Sequence, residues 1–524
     1  MPVESDPKNR AKQAGKDLYR QLRELSCEQL WTIEVPRFDC AAPQERIERV
    51  SVIRAVGTVF SGSGTAAQRD AARPWLRRLL QDPSEKVRRY ATAALPLLGA
   101  GVGEEAEMLS LLRTSTTGRE KKALGEALGK IGGAATLAEM QAGGDGLLRP
   151  TEQRVKARLA RDLDPGAIDM KAVVTEIDGL RIHLRGRRGL EAVVAEEVAG
   201  RIRERRQFEL VAVTGGLVVL APVAPFSLAD LYELRCFDTM GLVLGPVRAG
   251  DGHGSAETLA AVIASPRSLR LLRQLTGGPI RYRLDFVGSG HRRAGVRLVA
   301  DLAYALCPEI LNDPSRAPWT IAVHDAEDGA TAELVPHLTP DPRLYYRVGD
   351  VPAASHPPLA ACMARMAGPL RDAVIWDPFC GSGLELVERA LLGGVRQVHG
   401  TDLSPGALAI SRRNFDAAKL TGVQAQFTQA DFRDFAHIPG LGPETVDLVI
   451  TNPPMGRRIR IPDLHGLIAD MMAVAATVLK PGGQLIFPNP VTINVPPRGL
   501  RRVSGQRVDL GGFDCLLEHH QKRA

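Results

Sequence analysis

Strand and helix patterns alternate in the last third of the chain, and this alternation constrains the fold more than any other feature. The apolar run AVIW (373–376) leads into the glycine-rich DPFCGSG (377–383), and a helical pattern follows. Further strand patterns are QVHGTD (397–402), AQFTQAD (425–431) and VDLVI (446–450). Glycine-rich turns between strands and helices are typical of a doubly wound parallel sheet, which binds ligands beyond the carboxyl ends of its strands. Unusual residues after the strands are therefore candidate site residues.

The end of the chain extends the same pattern. ADMMAVAATVLKPGG (469–483) is predicted as a helix and QLIFP (484–488) as a strand. RVDLGGFDCLLEHH (507–520) is predicted as a terminal hairpin or edge pair.

Carboxylates and glycines stand at the predicted strand ends. Gly381 and Gly383 would let the backbone approach a ligand closely, and Asp377 begins their loop with a carboxylate. Asp402 ends the second strand, where a carboxylate can accept two ribose hydroxyls. Asp431 ends the third strand, where it could accept from an adenine amino group. Together these residues predict a nucleoside site.

A nicotinamide dinucleotide would also explain a glycine loop and a ribose carboxylate. However, the loop lacks the G-x-G-x-x-G turn that holds a pyrophosphate, because Leu384, Glu385 and Leu386 follow Gly383. A negatively charged Glu385 near a helix start would oppose a pyrophosphate. A nucleoside that carries a cation fits these residues better, and a dehydrogenase is disfavoured.

Four motifs, DPFCGSG, GTDLSPGALAISRRN, ADFRDF and TNPPMG, together resemble the Rossmann-like methyltransferases that use S-adenosylmethionine. More narrowly, they resemble the THUMP-containing RNA guanine-N2 methyltransferases over roughly residues 170–524, and Glu388 falls where that family keeps a glutamate. The resemblance implies S-adenosylmethionine as the cofactor. The implied cofactor-binding residues are Asp377, Phe379, Cys380, Gly381, Ser382, Gly383, Asp402, Leu403, Asp431, Phe432 and Asn452. Cys380 is expected to pack rather than to act as a nucleophile.

The strand VDLVI stops at two prolines, and the implied reaction explains this stop. The Asn452 side-chain oxygen and the Pro453 carbonyl can accept both N–H bonds of an exocyclic purine amine, while the prolines have no N–H to compete. The lone pair of the amine would then face the methyl group, so positioning carries catalysis and no general base is assigned. The implied catalytic residues are Asn452, Pro453, Pro454 and Met455.

Met455 departs from the family, which usually has Tyr, Phe or Trp at this position. An aromatic ring would stack on the target base, a contact worth roughly 1–3 kcal/mol, whereas methionine can lie on a purine face through its polarizable sulfur. Two interpretations stay open: an active enzyme with a weaker contact, or a non-catalytic RNA-binding or assembly protein with a relict methyltransferase fold. A DNA adenine or protein glutamine N-methyltransferase is a further alternative, because those classes also use an NPP loop.

Arginine clusters accompany the net charge of +7 and predict a polyanionic partner. The stretch DFVGSGHRRAGVRLVADLAYAL (285–306) places cations at a helix start, where they could bind phosphate, although a solvated basic helix start has the same pattern. With RGLEAVVAEEV and LNDPSRAPWTIAV, it resembles the THUMP RNA-binding module and its ferredoxin-like partner over roughly 170–330. The implied RNA-binding residues are His291, Arg292, Arg293, Arg297, Arg457 and Arg458. The expected reaction forms N2-methylguanosine in structured RNA, with tRNA as the first expected substrate and rRNA as the second.

A helical pattern repeats in the first third of the chain. PSEKVRRYATAALPLLG (83–99) aligns with TTGREKKALGEALGKIG (116–132), matching Gly99 with Gly132. The offset between the two segments is 33 residues. Helix pairs repeated at this offset stack as a solenoid. The pattern resembles HEAT-type repeats, while a plain helical bundle stays open as an alternative. This segment is expected to offer a surface for a protein partner.

Neither a metal nor a membrane is expected, because the seven cysteines lack metal spacing and no apolar run is long enough to cross a bilayer. The first thirty residues lack the apolar region of a signal peptide, so a cytoplasmic location is expected. The predicted fold is multidomain. Its domains are a helical or partly disordered segment (1–44), all-α HEAT-like repeats (45–165), an α+β ferredoxin-like module (168–255), a THUMP domain (256–335) and an α/β Rossmann-like methyltransferase domain (340–524).

Overall fold

The structure is a computed structural model that describes residues 7–143, 146–248, 252–288, 293–326, 329–352, 354–456, 461–491 and 497–523. The chain divides into two compact units. The first unit takes the residues up to 167 and 246–330, and the second takes 168–245 and 331–524. The predicted domain boundaries follow sequence pattern rather than compactness, and they stay predictions.

Helices and strands are numbered in chain order. The α-helices are α1 Pro7–Leu22, α2 Cys27–Gln29, α3 Val35–Cys40, α4 Pro43–Glu48, α5 Ser51–Ser63, α6 Ala66–Leu79, α7 Glu85–Ala94, α8 Val102–Thr114, α9 Gly118–Ile131, α10 Ala134–Gly143, α11 Arg149–Leu163, α12 Glu191–Arg205, α13 Leu228–Leu231, α14 Gly252–Ile263, α15 Pro266–Leu275, α16 Arg293–Leu306, α17 Pro357–Met366, α18 Leu384–Leu391, α19 Pro405–Ala417 and α20 Leu464–Val478. The strands are β1 Ala167–Ile168, β2 Val173–Val174, β3 Ile182–Arg185, β4 Phe208–Thr214, β5 Leu217–Pro222, β6 Phe226–Ser227, β7 Thr239–Arg248, β8 Thr276–Gly277, β9 Arg281–Phe286, β10 Leu311–Asn312, β11 Trp319–Ala326, β12 Gly329–Pro336, β13 Ala373–Asp377, β14 Val395–Asp402, β15 Gln424–Gln429, β16 Val446–Ile450, β17 Leu479–Asn489, β18 Leu500–Asp509 and β19 Asp514–Lys522.

Residues of α1 to α3 and of α5 to α10 share one apolar core in the first unit, whereas α4 has no buried residue. Every second helix packs in a row, with α5 against α7, α7 against α9 and α9 against α11. Glycines permit this close approach. A Cβ atom on Gly57 would lie 2.9 Å from the Ala94 Cβ, and one on Gly125 would lie 2.7 Å from Thr151 Oγ1.

The two predicted repeats correspond to α7 and α9, but their ends differ. Gly99 closes the first repeat with a left-handed φ of +77°, whereas Gly132 follows the second with a φ of −61°. The Arg88 guanidinium of α7 and the Glu120 carboxylate of α9 join the two helices at 2.6 Å. Packing of alternate helices agrees with a stacked arrangement, while the HEAT-type assignment stays a proposal.

The rest of the first unit contains a small parallel ladder, in which β10 and β11 both pair with β9. The Arg281 guanidinium and the Asp313 carboxylate form a buried ion pair at 2.5 Å, and Arg161 of α11 adds a second contact to Asp313 at 3.0 Å. A buried charge is costly without a partner, so this triad ties α11 to the strands of the same unit.

The second unit begins with an antiparallel arrangement, in which β3 pairs with β5 and β7, and β4 pairs with β5. The neighbouring α12 packs against α17, where Arg365 and Glu197 form an ion pair at 2.8 Å. Arg235 reaches Glu388 of α18 at 2.7 Å. Residues 168–245 and 331–524 therefore share one packed body.

A seven-stranded sheet in the order β15-β14-β13-β16-β17-β19-β18 confirms the predicted doubly wound fold of the second unit. The strands β13 to β17 run parallel, and β19 is antiparallel to both β17 and β18. Strand order reverses at β13, which lies between β14 and β16. The carboxyl ends of these strands therefore frame the crevice in which such sheets bind ligands.

The helix α20 ends earlier than predicted. It stops at Val478, and Lys480 to Gly483 belong to β17. Pro481 cannot continue a helical hydrogen-bond ladder, and Lys480 Nζ binds both carboxylate oxygens of Asp447 in β16 at 2.9 Å. The terminal hairpin is present as β18 and β19, which extend beyond the predicted range.

Candidate active site

The glycine-rich loop begins where β13 ends, at the buried Asp377. Asp377 Oδ1 accepts the Phe379 N–H at 3.0 Å, which fixes the start of the loop. Gly381 and Gly383 have φ values of +51° and +78°, a region that glycine adopts without the steric cost of a side chain. The Ser382 side chain is buried, so the loop can present its backbone to a ligand.

Asp402 lies beside this loop at the end of β14. Its Oδ2 atom accepts the Gly381 N–H at 3.1 Å, and its Oδ1 atom accepts the Ser404 N–H at 2.8 Å. Each oxygen keeps a further lone pair. The next residue, Leu403, is 68% exposed, so a ligand here would meet a carboxylate and an apolar surface side by side.

Asp431 follows β15, but its carboxylate already has a cationic partner. Its oxygens lie 3.1 and 3.3 Å from Arg433 Nη1, and the same guanidinium reaches Asp470 at 2.9 Å. The Phe432 side chain is buried and packs against the Phe379 ring at 5.0 Å between centroids. Phe432 therefore offers a ligand its backbone rather than its ring.

Asn452 comes two residues after the end of β16. Its Nδ2 atom donates to Ser355 Oγ at 2.8 Å, and the Ser355 hydroxyl donates to the Glu385 carboxylate. The Asn452 Oδ1 atom is buried and has no hydrogen-bond partner among the residues that the structure describes. The site therefore contains a fixed amide with one unused acceptor.

The parallel register brings the predicted residues to one edge of the sheet. Asp377 ends β13 and Asp402 ends β14, while Asp431 follows β15 and Asn452 follows β16. These four strands are adjacent in the sheet, in the order β15, β14, β13, β16. Pro453 is buried, while Pro454 and Met455 are half-buried. No sequence motif indicates Ser355, because a serine that precedes a helix beginning with proline carries no distinctive signal.

The buried carboxyl groups of this edge influence each other. Burial raises the pKa of Asp377 well above its ordinary value, and the charge of Glu385 raises it further. Burial also raises the pKa of Glu385, against which the hydrogen bond from Ser355 acts. A nearby positive charge would favour the ionised form of both groups.

Cys380 lies in the loop but is poorly suited to nucleophilic attack. Burial raises the pKa of its thiol far above the ordinary value, and the charge of Asp377 acts in the same direction. The Sγ atom is 3.8 Å from Ser411 Oγ, and the residue is buried. A buried thiol is inert because the thiolate is the nucleophile, so packing explains this residue.

Other predicted residues lie elsewhere. Glu388 binds Arg235 and the Tyr346 hydroxyl rather than a loop atom. In the first unit, Arg293 begins α16, and Arg297 is 51% exposed with its guanidinium 3.5 Å from Glu126. The predicted RNA-binding residues His291, Arg292, Arg457 and Arg458 lie outside the described residues.

Two further features, a metal cluster and a membrane-spanning helix, are absent from the described ranges. No group of three or more His, Cys, Asp or Glu side chains there could hold a metal ion. In the same ranges, no helix combines the length and apolar character needed to cross a membrane.

Comparison with protein families defines the class of this site. Residues 345–495 match the family described as "RMKL-like, methyltransferase domain". This range holds the glycine-rich loop, Asp402, Asp431 and Asn452. The second unit therefore contains a domain of the methyltransferase class.

Individual proteins are similar to parts of this chain. The chain is 32% identical over 149 residues to the tRNA (guanine(10)-N2)-dimethyltransferase of Methanothermobacter thermautotrophicus, and the match covers 28% of this chain and 39% of that protein. It is 26% identical over 171 residues to the protein of the same name from Methanocaldococcus jannaschii, covering 32% of this chain and 45% of that protein. The chain thus spans less than half the length of these relatives. The crystal structure of TrmN from Thermus thermophilus shares the fold, with a TM-score of 0.52 and 22% identity over 66% of this chain and 99% of that one.

Proposed function

We propose that this chain is an S-adenosylmethionine-dependent RNA methyltransferase that forms N2-methylguanosine in tRNA. One observation carries the proposal: Asn452 Oδ1 is a buried acceptor without a partner among the described residues, at the same sheet edge as Asp402 and the glycine-rich loop. The names of the two archaeal relatives support guanine N2 of tRNA as the target. rRNA is the second substrate class to test.

The residues at this edge fit S-adenosylmethionine. Asp402 keeps lone pairs for ribose hydroxyls, and the exposed Leu403 offers an apolar surface to a base. Gly383 has a left-handed φ of +78°, and a Cβ there would lie 3.3 Å from the Ser411 Cβ, so glycine suits both the turn of the loop and its packing against α19. When bound, the cofactor supplies a methyl group on a positively charged sulfur. Asp377 and Glu385, whose carboxyl groups are buried, favour that charge over a pyrophosphate.

The substrate amine would be held by the residues after β16. An exocyclic purine amine is planar and has two N–H bonds, which Asn452 Oδ1 and the Pro453 carbonyl would accept. The two prolines have no N–H of their own and a fixed φ, so the acceptors stay in place. Binding and orientation of the amine are the contributions of this chain, and they can supply a large part of the rate.

RNA recognition would involve the basic residues of the first unit. Arg293 and Arg297 lie at the start of α16, where guanidinium groups and free backbone N–H groups can both contact phosphate. This segment is proposed as the THUMP module, with the ferredoxin-like module before it. The helical repeats are proposed as a surface for a protein partner, and the cytoplasm as the location.

The test is an assay with labelled S-adenosylmethionine and total tRNA, followed by digestion and identification of the nucleoside by mass spectrometry. The wild-type chain should form N2-methylguanosine, and Asn452→Ala should reduce it to background. Parallel reactions with rRNA, DNA and protein separate the other substrate classes. No N2-methylguanosine above the Asn452→Ala control in any RNA would reject the proposal.

A non-catalytic RNA-binding role is the second candidate, and Met455 is the observation that favours it. A chain of that kind would have no reason to keep a cofactor site. Calorimetry with S-adenosylmethionine therefore discriminates between the two: binding that Asp402→Ala abolishes supports the enzyme, and absence of binding in the wild type supports the relict fold.

A further inference from the structure

The Asn452 amide is held by two successive hydrogen bonds that no sequence motif predicts. Its Nδ2 atom donates to Ser355 Oγ at 2.8 Å, and the Ser355 hydroxyl donates to the Glu385 carboxylate. We propose that Ser355 and Glu385 are positioning residues that fix the Asn452 amide with its Oδ1 atom free for the target amine. This inference rests on the methyltransferase function proposed above and deepens it.

The direction of the two hydrogen bonds follows from the number of protons available. The serine hydroxyl carries one proton, and Ser355 donates it to Glu385 Oε1. The Ser355 oxygen is then left as an acceptor, which the amide nitrogen of Asn452 satisfies. If the amide turned over, its oxygen would face the lone pairs of Ser355. Glu385, acting through Ser355, therefore selects the orientation that leaves Oδ1 without a protein partner.

Burial strengthens this selection. Ser355 is 9% exposed and Glu385 is 3% exposed, so water competes weakly for either hydrogen bond. Glu385 lies in the first turn of α18, two residues after Gly383, and Ser355 comes just before α17. The pair therefore links the loop proposed to bind the cofactor with the loop proposed to bind the amine.

Kinetic measurements on the full chain separate positioning from a merely structural role. Ser355→Ala is expected to lower kcat for tRNA methylation roughly 10- to 100-fold, because a misplaced acceptor costs orientation rather than binding. KM for tRNA and Kd for S-adenosylmethionine should stay within about threefold of the wild type. Ser355→Thr keeps the hydroxyl and should recover most of the rate. Ser51→Ala is the matched control, since it removes a buried hydroxyl bond in the first unit.

Two further variants test the same hydrogen bonds from other directions. Glu385→Leu removes the final acceptor and should lose as much kcat as Ser355→Ala, whereas Glu385→Gln retains an acceptor oxygen and should lose less. The double variant Ser355→Ala with Asn452→Ala should be no slower than Asn452→Ala alone, because both changes act through one amide.

The outcomes distinguish the inference from the function on which it rests. A wild-type chain without activity on any RNA overturns the proposed function and this inference with it. An active wild type in which Ser355→Ala and Glu385→Leu keep kcat within about twofold overturns the inference alone. A loss confined to cofactor affinity or to thermal stability also overturns it, because positioning predicts a loss in kcat.

Discussion

At the scale of residues, the proposed reaction depends on the buried Asn452 Oδ1 atom. Asn452 Oδ1 has given up its hydrogen bonds to water without gaining one from the described protein, and such an atom costs about 1–3 kcal/mol. A ligand that donates an N–H to it would recover that free energy. The half-buried Met455, three residues further on, is the other side chain that decides how well a base is held.

Met455→Tyr should improve the enzyme. An aromatic ring stacked on the target base is worth roughly 1–3 kcal/mol, so we expect kcat/KM for tRNA to rise by about tenfold. Met455→Ala should lower it, since the contact of the sulfur with the base is lost. Steady-state kinetics with tRNA measure both, and a tyrosine variant no better than the wild type would contradict a stacking role at this position.

Asp377 should make stability depend on pH. Its pKa is raised in the folded state by burial, so above about pH 4 the unfolded chain binds fewer protons than the folded one. The free energy of unfolding therefore falls as pH rises from that value through the raised pKa. Asp377→Asn removes this contribution, so its Tm should fall less than that of the wild type between pH 5 and 8.

The control for this measurement is Asp372→Asn, which changes an exposed aspartate directly before β13. Its Tm should follow the wild-type curve. Identical profiles of Tm against pH for Asp377→Asn and the wild type would show that the Asp377 carboxyl group has the same pKa in the folded and the unfolded chain.

At the scale of elements, helix packing in the first unit depends on glycines that have no side chain in the way. Gly125 and Gly129 both belong to α9 and both face α11 residues. A Cβ on Gly125 would meet the buried Thr151 at 2.7 Å, whereas a Cβ on Gly129 would lie 3.4 Å from the flexible Arg154 side chain. The two positions therefore differ in the space available, although their sequence contexts are alike.

Gly125→Ala should destabilise the first unit by about 1–3 kcal/mol, because it overpacks the contact of α9 with α11. Gly129→Ala, the matched change on the same helix, should stabilise by up to about 1 kcal/mol through helix propensity. Thermal or urea unfolding measures both. Equal effects of the two substitutions would contradict the close packing at Gly125.

The strands that carry the site could be predicted from the sequence, because their signals are local. β13 and β16 are largely apolar, β13 and β14 end at aspartates, and an asparagine and two prolines follow β16. Parallel pairing then brings these ends to one edge of the sheet. The Ser355–Glu385 pair could not be predicted, since Ser355 lies 97 positions from Asn452 and 30 positions from Glu385 along the chain. The end of α20 was misplaced because the contact of Lys480 with Asp447 outweighs the helical pattern.

At the scale of the whole molecule, charge should govern the affinity for RNA. Arg293 and Arg297 add positive charge at one helix start. Arg293→Gln with Arg297→Gln should weaken tRNA binding and reduce the slope of log K against log salt by up to about 2, one for each lost phosphate contact. Binding titrations at several salt concentrations measure this slope.

Arg20→Gln provides the control, because it removes an exposed guanidinium that belongs to α1 rather than to α16. That variant should leave the salt slope unchanged. If the double variant and the wild type have equal slopes of log K against log salt, the start of α16 does not contact the RNA backbone.

The path of the chain through its two compact units has a consequence for biosynthesis. Residues 168–245 leave the ribosome well before their partners after 331 exist, and synthesis at about 5–20 residues per second makes that interval several seconds long. During this interval, Glu197 lacks its partner Arg365 and Arg235 lacks its partner Glu388. A fragment that begins at α17 would contain Arg365 and Glu388 without Glu197 and Arg235, so expression trials should keep both stretches in one polypeptide.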